Sequence, residues 1–190
     1  MNVEPANPYN VFLIGYRCTG KTSAGKLLAG RLDWPFVDTD SLLVAEKQTS
    51  IREIVASAGW EAFRKLEQDV VRRVCNQDGQ VVATGGGVVL NADNVELMKK
   101  SGRLVWLRAT PETIRKRMIQ DADTEALRPA LTSKDSIAEI EETLLERESY
   151  YMRAMDFSVD TDNRRIDEVC DAIMGQLAEL DAERNEAGSS

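Results

Sequence analysis

Eight consecutive residues, Gly15-Tyr16-Arg17-Cys18-Thr19-Gly20-Lys21-Thr22, meet the spacing G-x-x-x-x-G-K-[ST] at every fixed position. That spacing builds a phosphate cradle. Glycine at 15 and 20 permits turns that aim backbone N–H groups inward. Lys21 adds a point charge for β- and γ-phosphates, and the Thr22 hydroxyl is placed to ligate Mg²⁺. The flanks agree with this reading. Val11-Phe12-Leu13-Ile14 is an unbroken apolar run, as a buried parallel strand requires, and Ser23 to Leu32 reads as a helix whose N-terminus faces the anion. Gly15, Thr19, Gly20, Lys21, Thr22 and Ser23 form the expected nucleotide-binding set, with Lys21 also acting on the transferring group.

Other polar groups fall where phosphoryl transfer would use them. Asp38 and Asp40 lie two apart after the short strand Phe36-Val37, where alternate residues share a side. One can reach a metal, and the other can orient and deprotonate an acceptor hydroxyl. Thr84-Gly85-Gly86-Gly87 follows the apolar Val81-Val82-Ala83 and reads as a second backbone-exposing turn, a floor for the acceptor. Arg64 follows Phe63 on a helix, Arg128 precedes Pro129 in an irregular stretch, and Arg147 lies in Glu146-Arg147-Glu148-Ser149-Tyr150-Tyr151. Guanidinium pairs suit a carboxylate because the fork matches its two oxygens.

These residues need a scaffold that gathers them at one edge. Helix signals alternate with short apolar strands: Val11–Ile14, Phe36–Val37, Val81–Ala83, Arg103–Arg108 and Phe157–Val159. The alternation predicts an α/β fold with a parallel sheet under right-handed crossovers, and ligands at the carboxyl ends of the strands. Ser50-Ile51-Arg52-Glu53 is a capping box opening a helix that Gly59 should stop, with a longer helix from Trp60 to Cys75. A further helix is expected from Ser41, and the last from Ile166 to Leu180. Residues 1 to 9 read as a loose lead-in, 122 to 134 as a polar lid and 181 to 190 as a fraying tail.

At 190 residues the chain suits one domain, with a core over about 10–180. It contains no histidine, which excludes a Ser-His-Asp triad and a histidine general base. The net charge of −8 disfavours nonspecific nucleic-acid binding. Apolar runs are too short to span a bilayer, and no signal peptide is expected. Cys18, Cys75 and Cys170, odd in number and far apart, suit a reducing cytoplasm.

In this order, G-x-x-x-x-G-K-T, D-x-D, F-R, T-G-G-G, R-P-x-L and R-x-x-x-Y resemble the shikimate kinase family over about residues 10 to 180. The phosphate loop alone is widespread; the ordered series is far narrower. The resemblance implies a three-layer α/β/α P-loop kinase fold, with a five-stranded parallel sheet and a mobile lid. It implies MgATP-dependent phosphorylation of the 3-hydroxyl of shikimate, in aromatic amino acid biosynthesis, by a cytoplasmic monomer. Asp38 would then serve the magnesium shell, with Asp40 binding shikimate hydroxyls as the base. Arg64 and Arg147 would clamp the carboxylate, Gly85, Gly86 and Gly87 would line the ring, and Arg128 would reach the transferring phosphate. Arg117 and Arg165 match the adenine-side contacts best. The chain departs from the pattern at Arg17 and Cys18, where small or apolar residues are common, and at Ser149, where proline is frequent. A kinase of another hydroxylated acid such as gluconate is the nearest alternative. A nucleotide-binding switch is a second, although the chain lacks the N-K-x-D guanine motif.

Overall fold

The computed structural model describes residues 9–120 and 137–187. The expected lid, with Arg128, lies outside them, as do residues 1 to 8 of the lead-in and the last three residues.

The strands are β1 (Asn10–Ile14), β2 (Phe36–Asp38), β3 (Val81–Ala83), β4 (Gly102–Arg108) and β5 (Phe157–Asp160). They form one parallel sheet in the order β2-β3-β1-β4-β5. The helices are α1 (Lys21–Leu32), α2 (Thr39–Lys47), α3 (Ile51–Val74), α4 (Ala92–Ser101), α5 (Pro111–Gln120), α6 (Ile137–Ala154) and α7 (Ile166–Ala187), with a 3-10 turn at Val88–Leu90.

Side-chain alternation along the central strand makes the three layers. Val11 and Leu13 join Ala24 and Leu28 of α1 and Val169, Cys170 and Ile173 of α7 in one cluster. Phe12 and Ile14 join Leu43, Phe63, Val70, Met98 and Tyr151 on the opposite face. With both faces covered, β1 is buried at every position, which is why it is continuously apolar beyond Asn10.

The capping box forms as expected, with Ser50 and Glu53 exchanging backbone N–H bonds. Gly59 breaks the helix with φ 80° and ψ 170°, so α3 runs as two helical segments across a kink. Three expectations need correction. Helix α2 begins at Thr39, capped by Asp38, so Asp40 stands in a helical first turn and not on a strand end. Helix α7 continues to Ala187 instead of stopping at Leu180. Its extension is tied at Asp181, whose carboxylate accepts the Tyr9 hydroxyl at 2.8 Å; Tyr9, from the expected loose lead-in, also stacks edge-on against Trp34.

Candidate active site

The phosphate loop spans the gap from β1 to α1. Gly15 adopts φ +139° and lies so close to the Leu107 carbonyl of β4 that a methyl group there would collide with it. Gly20 caps α1 with φ 95°. Cys18 also takes a left-handed conformation, φ 59°, which is uncommon outside glycine. The Lys21 ammonium folds back to donate to the carbonyls of Gly15 (2.8 Å) and Tyr16 (2.6 Å). Thr19 donates its hydroxyl to the Tyr16 carbonyl at 2.8 Å. Ser23 is exposed in the first turn of α1.

On the β2 side, the Thr22 hydroxyl donates to the Asp38 carboxylate at 2.9 Å, and the other Asp38 oxygen caps α2 through the Ser41 N–H. This pair of hard oxygen groups fits Mg²⁺, which binds through one or two protein oxygens together with substrate phosphates. Among the described residues no cluster of three or more acidic, Cys or His side chains forms a separate metal cage.

Beside the loop lies a cleft of about 540 Å³, counted with the solvent at its mouth. Asp40, Arg64, Arg147 and the three glycines 85–87 all line it, as do Tyr16, Arg17, Trp60 and Glu67. Asp40 is nearly buried, at 8% exposure. A methyl group on Gly85 would stand 2.7 Å from a Glu67 oxygen and 2.8 Å from an Asp40 oxygen, so the absent side chain leaves room for both carboxylates. A methyl group on Gly87 would strike the Arg64 guanidinium. Arg64 donates to Glu67 at 2.7 Å and packs over the rings of Trp60 and Phe63. Glu67 is 2% exposed. Burial pushes its carboxyl up from the ordinary 4.5, and the Arg64 charge pulls it back only in part.

The opposite wall comes from α6. Arg147 donates to the Gly86 carbonyl at 3.4 Å, and the Tyr151 hydroxyl donates to the same carbonyl at 2.5 Å. Tyr151 is fully buried and stacks on Trp106, with ring centroids 5.3 Å apart. Burial pushes the phenols of Tyr16 and Tyr151 up.

Two further expected residues lie apart from this cleft. Arg117 donates to the Cys18 carbonyl at 3.2 Å and to both the hydroxyl and carbonyl of Thr161, bridging the loop to the end of β5. Arg165 pairs with Asp167 at 2.9 Å and is 79% exposed. Glu67 and Tyr16 line the cleft without being among the residues expected from the sequence. Glu67 stands one helical turn after Arg64, a signal available in the sequence; Tyr16 occupies a variable loop position and carries none.

The shikimate kinase family model matches residues 17–178. The chain is 39% identical to a shikimate kinase of Symbiobacterium thermophilum over 172 residues, 90% of this chain and 97% of the relative. It is 38% identical to shikimate kinase 2 of Photorhabdus laumondii over 141 residues, 74% of this chain and 80% of the relative. The solved structure of an Acinetobacter baumannii shikimate kinase in complex with shikimate superposes with a TM-score of 0.85 at 26% identity, covering 93% of this chain and 96% of that one. A gluconokinase of Sinorhizobium meliloti, 13% identical with a TM-score of 0.54, shares the fold alone. With the family model matched over residues 17–178 and a relative 39% identical along 90% of its length, this chain belongs to the shikimate kinase family.

Proposed function

We propose that the protein transfers the γ-phosphoryl group of ATP to the 3-hydroxyl of shikimate. The observation that carries this reading is the cleft beside the phosphate loop, where a nearly buried aspartate and two arginines meet a wall of three glycines. The carboxylate of shikimate would take Arg64 and Arg147, and its hydroxyls would reach Asp40. The acceptor oxygen forms a bond to the γ-phosphorus while the bond to the β,γ-bridging oxygen breaks. The electron pair leaves with ADP, and the hydroxyl proton passes to Asp40. Such transfers depend on positioning and charge neutralisation, which the loop amides and Lys21 supply on the nucleotide side.

Thr22 and Asp38 would hold Mg²⁺, which when bound neutralises charge on the β- and γ-phosphates. The working unit is proposed as a monomer in the cytoplasm. Among the described residues no helix is long and apolar enough to cross a membrane.

The test is ADP release with and without shikimate, with gluconate and other hydroxy acids in parallel, and mass analysis of the product. The expected result is shikimate-dependent turnover and one added phosphoryl group. Saturating MgATP without shikimate-dependent turnover in folded protein would refute the reading, and preference for gluconate would reassign the acceptor.

A further inference from the structure

We propose that Arg17 binds the phosphate of the phosphorylated acceptor, taking charge of the phosphoryl group once it has crossed from the nucleotide; this rests on the shikimate reading above. Arg17 belongs to the phosphate loop, yet it lines the acceptor cleft with Arg64, Arg147 and Asp40.

The Tyr16–Arg17 peptide forms part of the partition between the two sites. Its carbonyl accepts the Lys21 ammonium at 2.6 Å. Its N–H nitrogen lies 3.4 Å from where a methyl group on Gly86 would stand, on the floor of the cleft. Lys21 and Arg17 are therefore cations at two sides of one peptide. The Arg17 guanidinium lies 5.8 Å from the centre of the Tyr16 ring, and that of Arg147 lies 6.0 Å from the same centre. Tyr16 is 2% exposed, so this ring is a fixed platform, and its face attracts both cations.

The three cleft arginines divide by position. Arg64 is bound to Glu67 and stands against Gly87, and Arg147 bonds the Gly86 carbonyl. Those two lie on helices that wall the cleft, whereas Arg17 is carried by the loop that delivers the phosphoryl group. Shikimate enters with one anionic group and leaves with two. The second appears where the new P–O bond forms, beside the loop. A guanidinium there can take two phosphate oxygens at once. Variable loop positions need no charge to cradle a nucleotide, since the backbone does that. A cation that faces the acceptor instead of the nucleotide answers to the product.

The experiment measures equilibrium binding of shikimate 3-phosphate, shikimate and ATP, each alone, to wild type, Arg17→Gln and Arg17→Lys. Tryptophan fluorescence reports the cleft through Trp60, and calorimetry checks it. Arg17→Gln should weaken the phosphorylated product about 10- to 100-fold while shikimate and ATP stay within about threefold. Product inhibition should weaken in step, and Arg17→Lys, which keeps the charge without the fork, should fall between. Unchanged product affinity in Arg17→Gln overturns the proposal. So does a parallel loss for all three ligands in both variants, which marks a residue that only supports the loop. Wild type that turns over no shikimate removes the functional reading and this inference with it. Active wild type with an unaltered Arg17→Gln removes this inference alone.

Discussion

Lys21 folds back onto two carbonyls of its own loop, whereas Arg64 is bound to a buried carboxylate, Glu67, one turn along its own helix. Both cations are held before any ligand arrives, but by different partners. Carbonyls are neutral, so an arriving phosphate replaces them without opposing a full charge. The Glu67 carboxylate fixes the Arg64 fork in place and also neutralises part of its charge. The nucleotide side therefore relies on backbone geometry, and the acceptor side on a preset ion pair. Each reliance has its own weak point.

The heaviest loss should come from breaking the backbone side. Gly15→Ala forces a side chain into φ +139° and against the Leu107 carbonyl. It should cost about 3 kcal/mol or more of stability and abolish ATP binding. Urea denaturation and nucleotide titration read both, and normal ATP affinity would show that the loop does not depend on that turn. Asp40→Asn removes the proposed base while keeping its shape, and turnover should fall about 10²- to 10⁴-fold with shikimate still bound measurably. Full turnover would move the base elsewhere.

Arg64→Ala attacks the preset pair. Acceptor binding should weaken by about 2–5 kcal/mol with ATP affinity unchanged. Titration of stability separates the pair's two members. Burial raises the folded-state value of Glu67 above its ordinary 4.5, so the folded protein holds this proton more tightly than the unfolded chain does. That contribution is complete below 4.5 and is lost as pH rises through the folded value. Without the Arg64 charge the folded value climbs further. Arg64→Ala should therefore lose stability with rising pH more steeply than wild type, and adding Glu67→Gln should flatten the difference. Identical pH profiles in wild type and Arg64→Ala would mean that the Arg64 charge does not act on the Glu67 proton. The smallest effect is expected at Asp38→Asn, which should raise the Mg²⁺ requirement about tenfold. Kinetics over a Mg²⁺ series with saturating ATP checks it.

The same contrast explains what the sequence disclosed. The loop is contiguous, so its spacing could be read directly, and its strand and helix followed. The i,i+3 spacing of Glu67 from Arg64 is legible in the sequence, but its approach to Gly85 joins segments far apart in the chain and appears only in the fold. The sequence marks Asp40 as functional but suggests a strand end for it. The Asp38 side chain caps α2 and starts the helix two residues earlier than the apolar pattern suggests. The end of α7 was hidden for a related reason: its last turns are polar, and Tyr9, from the other end of the chain, bonds Asp181 across the fold.

The central position of β1 has a consequence for how the protein is made. This strand leaves the ribosome before both of its sheet neighbours, Val81–Ala83 and Gly102–Arg108, and Gly15 closes against Leu107. Nonlocal pairing of this kind is slow and cannot begin until the distant strands exist. A ribosome-bound chain that ends before β4 therefore lacks a wall of its own phosphate loop, whatever its helices have done. Nucleotide capture marks a late event in maturation, and release of nascent chains of increasing length should show it switching on only after residue 107 has left the exit tunnel.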